Sequence, residues 1–445
     1  MFILIMIYLV LLVIRPQDYP AVVDNPGPPL QQITLLIAGM FWLLSRHKRL
    51  DSPQHVLLFL FYIVLMVSSI ATGWFGGAII QLEKFGPTLL AFLIMAAALN
   101  SQPRLRTAMA ILTLCATVLA IHGIEQANLG LGWTGVGLSQ GTRIQYVGIF
   151  NDPNDLGMLF ATCLPMAFYL ARKGGLLGFR RLFWWSMAGL LLYGVFLTDS
   201  RGTMLAVLAM LAVYAWHRYG AGIAGVAVAC GVGILLLLPS RIQEMDVTED
   251  SAMGRVESWY EGLQMFRSSP FLGIGPDRYS DMYNLTAHNS FVLVLAETGI
   301  IGFILWIAFV GYSFRMMSAG VSGSPALTQF EYSNLDNGTN SEDVESDLDA
   351  WNDAVRTHHE DRALALTLLL SLTGFFTCAF FLSRSYVVVL YLLAAMVVAH
   401  YGAMQVRAPD MPQFRLEREL ILWPAVALAS IVGLAVLVKI LLATV

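Results

Sequence analysis

The sequence predicts an all-α polytopic membrane protein of about twelve transmembrane helices, with one long extracytoplasmic loop that carries a short amphipathic helix. Three observations predict it. The chain is 57% hydrophobic and 13% charged, against roughly 25% charged residues in soluble domains. Apolar runs of roughly 17 to 25 residues, the length that crosses a bilayer, recur from end to end. One stretch, 239–288, leaves that pattern and gathers arginines, carboxylates, aromatics and a histidine.

The apolar runs lie near 1–14, 30–45, 55–72, 86–99, 107–122, 155–171, 182–198, 202–217, 221–238, 289–314, 363–382, 386–401 and 421–443, and whether the last is a separate twelfth or thirteenth span is left open. The first run has no basic n-region and no small-residue cleavage site, so it reads as a retained span. Arg46, Lys48, Arg49, Arg104, Arg106, Arg172, Lys173, Arg180, Arg181, Arg218, Arg407, Arg415 and Arg418 fall on one side of the predicted membrane. Single basic residues (Arg15, Lys84, Arg143, Arg201, Arg384) fall on the other. The positive-inside rule makes the rich side cytoplasmic and puts the 239–288 loop outside.

The segment 321–361 holds ten of the 30 acidic residues and one base, Arg356. It is expected to be a flexible acidic cytoplasmic insert within an otherwise single transmembrane domain spanning 1–445. Cys115, Cys163, Cys230 and Cys378 all lie in apolar runs, without metal-ligand spacing, and read as buried small hydrophobes. The sequence holds no Gly-rich nucleotide loop and no zinc pattern, so neither cofactor nor metal is expected, and no nucleic-acid partner.

On the outer side, Asp152-Pro153-Asn154-Asp155 has the form of a helix start, with Asp152 as cap and Pro153 at the first helical position. Asn151, Asn154 and Tyr146 are candidates to line a sugar site beside it, and Arg143 is a candidate phosphate ligand. The turn Thr198-Asp199-Ser200-Arg201 puts Arg201 in a first helical turn, where a cation opposes the helix dipole unless an anion is held there. A helix is expected from Asp250-Ser251, with Met253, Val256, Tyr260 and Leu263 on its apolar face, Trp259 and Phe266 widening it, and Arg255 in its first turn.

Pro270-Phe271-Leu272-Gly273-Ile274-Gly275-Pro276 is a turn that aims Asp277, Arg278 and Tyr279 back at the bundle. His288 and Asn289 open the next span. A histidine at a helix start is discouraged from charging, which suits a proton acceptor. Glu297 lies roughly 13 Å further along that helix, as a buried structural partner or a proton relay. Arginine's planar fork matches phosphate oxygens, so several outer arginines beside a neutral histidine suggest a diphosphate leaving group and an activated hydroxyl. A transporter or flippase for an anionic lipid or solute is the competing class, although such sites belong near the midplane.

At these residues the sequence resembles the O-antigen ligase and polymerase superfamily. The resemblance rests on Asn151-Asp152-Pro153-Asn154, Ser200-Arg201-Gly202, Gly254-Arg255, the Pro-Phe-Leu-Gly-Ile-Gly turn, His288-Asn289-Ser290 and Glu297-Thr298-Gly299-Ile300-Ile301-Gly302, covering roughly 145–305. It implies a metal-independent, inverting glycosyltransferase of the bacterial inner membrane, working at the periplasmic face in cell-surface polysaccharide biosynthesis. The implied partners are an undecaprenyl-diphosphate-linked glycan, a lipid or glycan acceptor and membrane lipids. By the same resemblance His288 would be the base, and Arg201 and Arg255 would hold the diphosphate; apart from the resemblance, Arg143 and Arg278 are further diphosphate candidates. Asn289 and Glu297 would support the site. Family members differ in acceptor, which is lipid A core, a second glycan chain or protein, and the ligase-type reading is favoured here.

Overall fold

One helix, Pro153–Leu170, is buried along almost its whole length, and the others are arranged around it. The computed structural model describes all residues except 25–26, 46–47, 49, 176, 238–248, 324–340 and 444–445. In chain order the helices are α1 (Phe2–Ile14), α2 (Leu30–Leu44), α3 (Pro53–Ala71), α4 (Phe75–Ala98) and α5 (Gln102–Leu129). The central helix is α6, followed by α7 (Phe179–Leu197), α8 (Arg201–Tyr219), α9 (Ala221–Leu237), α10 (Glu249–Ser268) and the short α11 (Tyr279–Tyr283). Then come α12 (Ser290–Ser322), α13 (Ser341–Ala379), α14 (Val388–Arg407) and α15 (Leu422–Ala443). Among the described residues the β pairing is confined to two isolated bridges, Leu131 with Gly137 and Ser139 with Arg143, in the loop after α5.

Every apolar run of the sequence coincides with a helix. Among the described residues, seven helices are long and apolar enough to cross a membrane: α3, α4, α5, α12, the 351–379 part of α13, α14 and α15. The central α6 packs against α5, α7, α8 and α13, so its side chains meet protein rather than lipid and need not be uniformly apolar. Peripheral helices do the opposite. On α15, Leu428, Val432, Val436 and Ile440 form an exposed stripe at four-residue spacing, and α2 exposes Leu36, Met40 and Leu43. Apolar stripes of this kind are turned to lipid in a helical membrane protein.

The last apolar run is a helix of its own, α15, packed on α12 and α10. Cys115, Cys163 and Cys378 are buried as expected, but Cys230 is exposed on α9. The acidic segment divides. Its residues 324–340 lie outside the described residues, whereas 341–361 is helical and runs unbroken into the apolar part of α13. The reason is visible at its end. Asp361 accepts two hydrogen bonds from Arg407, at 2.9 and 2.6 Å, and one from Gln102 at 2.8 Å. Glu360 pairs with Lys173 at 3.3 Å and Arg106 at 3.5 Å. The basic residues of this face thus hold the start of the span.

At the opposite face α12 is interrupted. Gly299 has φ 63° and ψ −165°, a non-helical conformation inside the helix, in a region essentially restricted to glycine. The break frees backbone groups, and the Pro270–Pro276 turn takes them up. Ile274 N–H donates to the Ala296 carbonyl (2.9 Å) and Gly275 N–H to that of Glu297 (3.0 Å), while Ile300 N–H donates to the Pro270 carbonyl (2.8 Å). The Ser68 hydroxyl on α3 donates to the Glu297 carbonyl at 2.8 Å. The approach is so close that a Cβ on Gly299 would lie 2.4 Å from the Phe271 carbonyl carbon, and one on Gly273 2.3 Å from that of Glu297. Irregular backbone at membrane depth is tolerated where protein pairs it.

Candidate active site

Three helices point their N-termini at one end of the bundle. At α6 the cap is Asp152, whose carboxylate accepts from Asn154 N–H at 2.7 Å, with Pro153 in the first helical position. At α8 it is Ser200, whose hydroxyl accepts from Thr203 N–H at 3.4 Å. At α12 it is Asn289, whose Oδ1 accepts from Phe291 N–H (2.8 Å) and Val292 N–H (3.1 Å). All three caps are oxygen acceptors at the positive end of a helix, the arrangement that polar chain reversals between spans select. Gly157 brings α6 and α8 together, since a Cβ there would lie 2.4 Å from the Thr203 hydroxyl.

The amphipathic α10 lies against the first turns of α12. Trp259 and Leu263 are buried, Trp259 stacks edge-on to Phe380 at 5.6 Å, and a Cβ on Gly262 would collide with Val292. Two details differ from the sequence expectation. The helix begins at Glu249, which puts Asp250 and Ser251 inside its first turn and Arg255 in the second. Its buried residues are Ser258, Trp259, Gly262, Leu263 and Met265, with Phe266 partly buried and Tyr260 exposed. The physical cause is the partner: α10 rests on α12 and α15, so its seam faces those helices.

This packing brings Arg255 within range of the charges of Arg201 and Asp152, and His288 within range of those of Arg255, Arg384 and Asp152. Burial and the neighbouring Arg201 lower the pKa of Arg255, with Asp152 opposing. The half-buried His288 is held below the ordinary histidine value, first by burial and then by Arg255 and Arg384, again with Asp152 opposing. A neutral imidazole among cations and helix N-termini is an arrangement that can bind an anion and accept a proton. His288 also has φ 47°, a left-handed backbone conformation uncommon for non-glycine residues. It turns the chain from the loop into the Asn289 cap.

Arg384 was not singled out from the sequence as a site residue. It lies between α13 and α14, and its Nη2 donates to Asp155 Oδ2 at 2.5 Å while Nε donates to Oδ1. Burial alone would disfavour its charge, yet the Asp155 carboxylate raises its pKa further. Asp155 stands in the first turn of α6, as the helix-start pattern leads one to expect, and is also the buried partner of this arginine. The same connection clasps the His-Asn-Ser motif: the Ser290 hydroxyl donates to the Leu382 carbonyl (2.6 Å), Arg384 N–H donates to the Ser290 hydroxyl (2.9 Å), and the Ser385 hydroxyl donates to the Ser290 carbonyl (2.8 Å).

The remaining candidates are dispersed. Arg143 Nε donates to the Thr198 carbonyl (2.9 Å) and its Nη2 to Asn154 Oδ1 (3.0 Å), which braces the loop before α6 against the turn before α8. Asn151 is exposed beside Asp152. Tyr146 is fully buried, its hydroxyl 2.9 Å from that of Tyr19 and donating to the Ile14 carbonyl at 3.0 Å, so it faces the end of α1. Arg278 caps α11 near Gly275 and Thr72; among the described residues no hydrogen bond or ion pair joins it to the His288 group. Glu297 is buried below the Gly299 break, with Oε1 accepting from Tyr279 N–H at 3.4 Å and the Tyr386 hydroxyl as a neighbour.

The fold and this cluster define a class: a polytopic helical membrane protein whose cationic, histidine-bearing site lies at one end of its bundle. Residues 186–307 match the family model described as O-antigen ligase. Over that segment the chain is related to the O-antigen ligase superfamily, as the motifs imply; the match spans α7 to the first half of α12 and takes in Arg201, Arg255 and His288. No curated protein matches the chain.

Proposed function

We propose that the protein transfers a glycan from an undecaprenyl-diphosphate-linked donor to an acceptor hydroxyl, at the periplasmic face of the bacterial inner membrane, as an O-antigen ligase-type enzyme. The observation that carries the reading is the meeting of Arg255, with Arg201 beside it, and the capped starts of α6, α8 and α12 near a half-buried His288 whose pKa is lowered. The match of residues 186–307 to an O-antigen ligase model supports the ligase form.

In this mechanism the guanidinium groups of Arg201 and Arg255 hold the diphosphate in bidentate fashion. The acceptor oxygen attacks the anomeric carbon from the side opposite the diphosphate, forming one C–O bond as the other breaks, so the configuration inverts. The acceptor proton passes to the His288 imidazole, and the electron pair of the broken bond leaves on the diphosphate. The charges work together. Before donor binding, burial, Arg255 and Arg384 favour the uncharged form of His288. The bound diphosphate then offsets Arg255, which raises the basicity of His288 while it is needed, and the growing charge on the leaving group stabilises the imidazolium. Arg143, engaged with Asn154 and Thr198, braces the site. Asn151 and Asn154 border the sugar.

The test is transfer by purified protein from a lipid-diphosphate glycan, with lipid A core, a second lipid-linked glycan and protein offered separately as acceptors. His288→Ala is expected to bind donor and to transfer about 10² to 10⁴ more slowly, with His288→Gln similarly slow. A His288→Ala protein that transfers at the native rate overturns the assignment. Movement of the lipid-linked glycan across vesicles without any transfer product would establish a carrier instead.

A further inference from the structure

Arg384 and Asp155 form an ion pair that joins the start of the central helix to the connection between α13 and α14, 229 residues apart in sequence. The carboxylate is buried, with its side chain 4% exposed. The pair uses both Asp155 oxygens, and a third guanidinium nitrogen, Nη1, donates to the Ser383 carbonyl at 3.2 Å. With its donors committed in this way, Arg384 is poorly placed to serve as another phosphate ligand. Its backbone is equally committed, because its N–H holds the Ser290 hydroxyl two residues after His288.

We propose that Arg384 is a positioning residue for His288: anchored by Asp155, it clamps the His288-Asn289-Ser290 segment through Ser290 and holds a fixed positive charge beside the imidazole, favouring its neutral form whether or not an anion is bound. Two independent features support this. The clasp comprises three hydrogen bonds of 2.6 to 2.9 Å between Ser290 and residues 382–385. The charges facing His288 come from three elements, Arg255 on α10, Arg384 on the α13–α14 connection and Asp152 at the start of α6, with Arg201 on α8 acting on Arg255. Of the two arginines, Arg255 belongs to the diphosphate site and Arg384 is tied to a carboxylate of the protein itself. Anion binding therefore neutralises the first and leaves the second in place. The proposal rests on the functional reading of His288 for its purpose, while its physical content concerns ionisation and can be measured without catalysis.

The experiment is the pH dependence of His288 modification by diethyl pyrocarbonate in the full-length, detergent-purified protein, quantified by mass spectrometry of the His288 peptide. His217, exposed at the end of α8, serves as internal control. Arg384→Gln is expected to raise the midpoint of His288 modification by roughly half a unit to one unit, since removal of a nearby cation favours the charged imidazole. Arg384→Gln with Asp155→Asn, which leaves no lone buried carboxylate, should move it in the same direction by less and remains informative if the single variant fails to fold. Arg384→Lys, which keeps the charge, should restore most of the native midpoint. Ser290→Ala should increase the modification rate of His288 at high pH by freeing its segment. An unchanged or lowered midpoint in both Gln-containing variants overturns the proposal. These outcomes are separate from those for transfer: full activity in His288→Ala would remove the base assignment and leave the midpoint shift standing.

Discussion

Asn289 offers the sharpest separation of structure from chemistry, because one atom of its side chain holds a helix start and the other has no hydrogen-bond partner among the described residues. Its Oδ1 accepts from two backbone amides, at 2.8 and 3.1 Å, in a side chain with 0% exposure, while Nδ2 is buried and unpaired. Asn289→Ala removes the cap, worth about 1 kcal/mol, and orphans a second buried amide, at about 1–3 kcal/mol. The expected loss is about 2–4 kcal/mol, large for one substitution. Thermal unfolding in detergent, followed by fluorescence-detected size-exclusion chromatography, should show a midpoint lower by several degrees. Asn289→Asp keeps the acceptor, gives up the unpaired Nδ2, and places a carboxylate at a helix N-terminus that favours it. This variant should unfold close to the native temperature. It also adds a negative charge next to His288, which raises the imidazole pKa, so the acid limb of the rate profile should move to higher pH. Equal destabilisation of the Asp and Ala variants would refute the reasoning, since the cap would then not rest on Oδ1.

Other outcomes follow from the same geometry. Arg201→Lys and Arg255→Lys keep charge but lose the planar fork, so each should impair transfer by about 10-fold or more without loss of folding; native rates in both would remove these side chains from donor recognition. Gly299→Ala places a Cβ 2.4 Å from the Phe271 carbonyl carbon at a φ of 63°, combining backbone strain with overpacking at about 1–3 kcal/mol each, and the yield of monodisperse protein should fall sharply. Single cysteines at Arg267 and Asp353 in a cysteine-free background should be labelled from opposite sides in intact cells, Arg267 from outside; labelling of Asp353 from outside would reverse the topology and the proposed periplasmic site with it.

Much of the helical layout was legible because each helix that meets lipid or a tight core is written as an apolar run. Boundaries were less so. The run read near 86–99 belongs to a helix that starts at Phe75, and the one near 107–122 to a helix that starts at Gln102. Polar residues such as Gln81, Lys84, Arg104 and Arg106 continue these helices past their apolar parts, where hydropathy no longer reports them. In the site, Arg201 and His288 could be placed because helix-start chemistry is local: a cap residue and its neighbour sit side by side in the chain. Arg384 could not, because its meaning depends on Asp155 on the far side of the sequence. Nor could the direction of Tyr146, since a loop tyrosine carries no periodic pattern to say which way it faces. The Gly299 break was hidden for a related reason: the run 289–314 as a whole is apolar enough to read as uninterrupted helix despite Glu297, Thr298 and Gly299, and the turn that completes it lies before His288.

That break bears on how the protein enters the membrane. A helix can partition into lipid by itself because its amides are satisfied within the segment. The first half of α12 cannot do so fully, for the carbonyls of Ala296 and Glu297 are satisfied by Ile274 and Gly275, and the amide of Ile300 by Pro270. On the proposed topology, the segment carrying α10 and its following turn must therefore already have been translocated when α12 settles. Biogenesis is thereby given a sequence of events: export of the loop, docking of its turn, and then closure of the bundle around the completed helix. Pulse-labelled chains arrested between these steps would be recognised by quality-control proteases through the unmet backbone groups at Gly299.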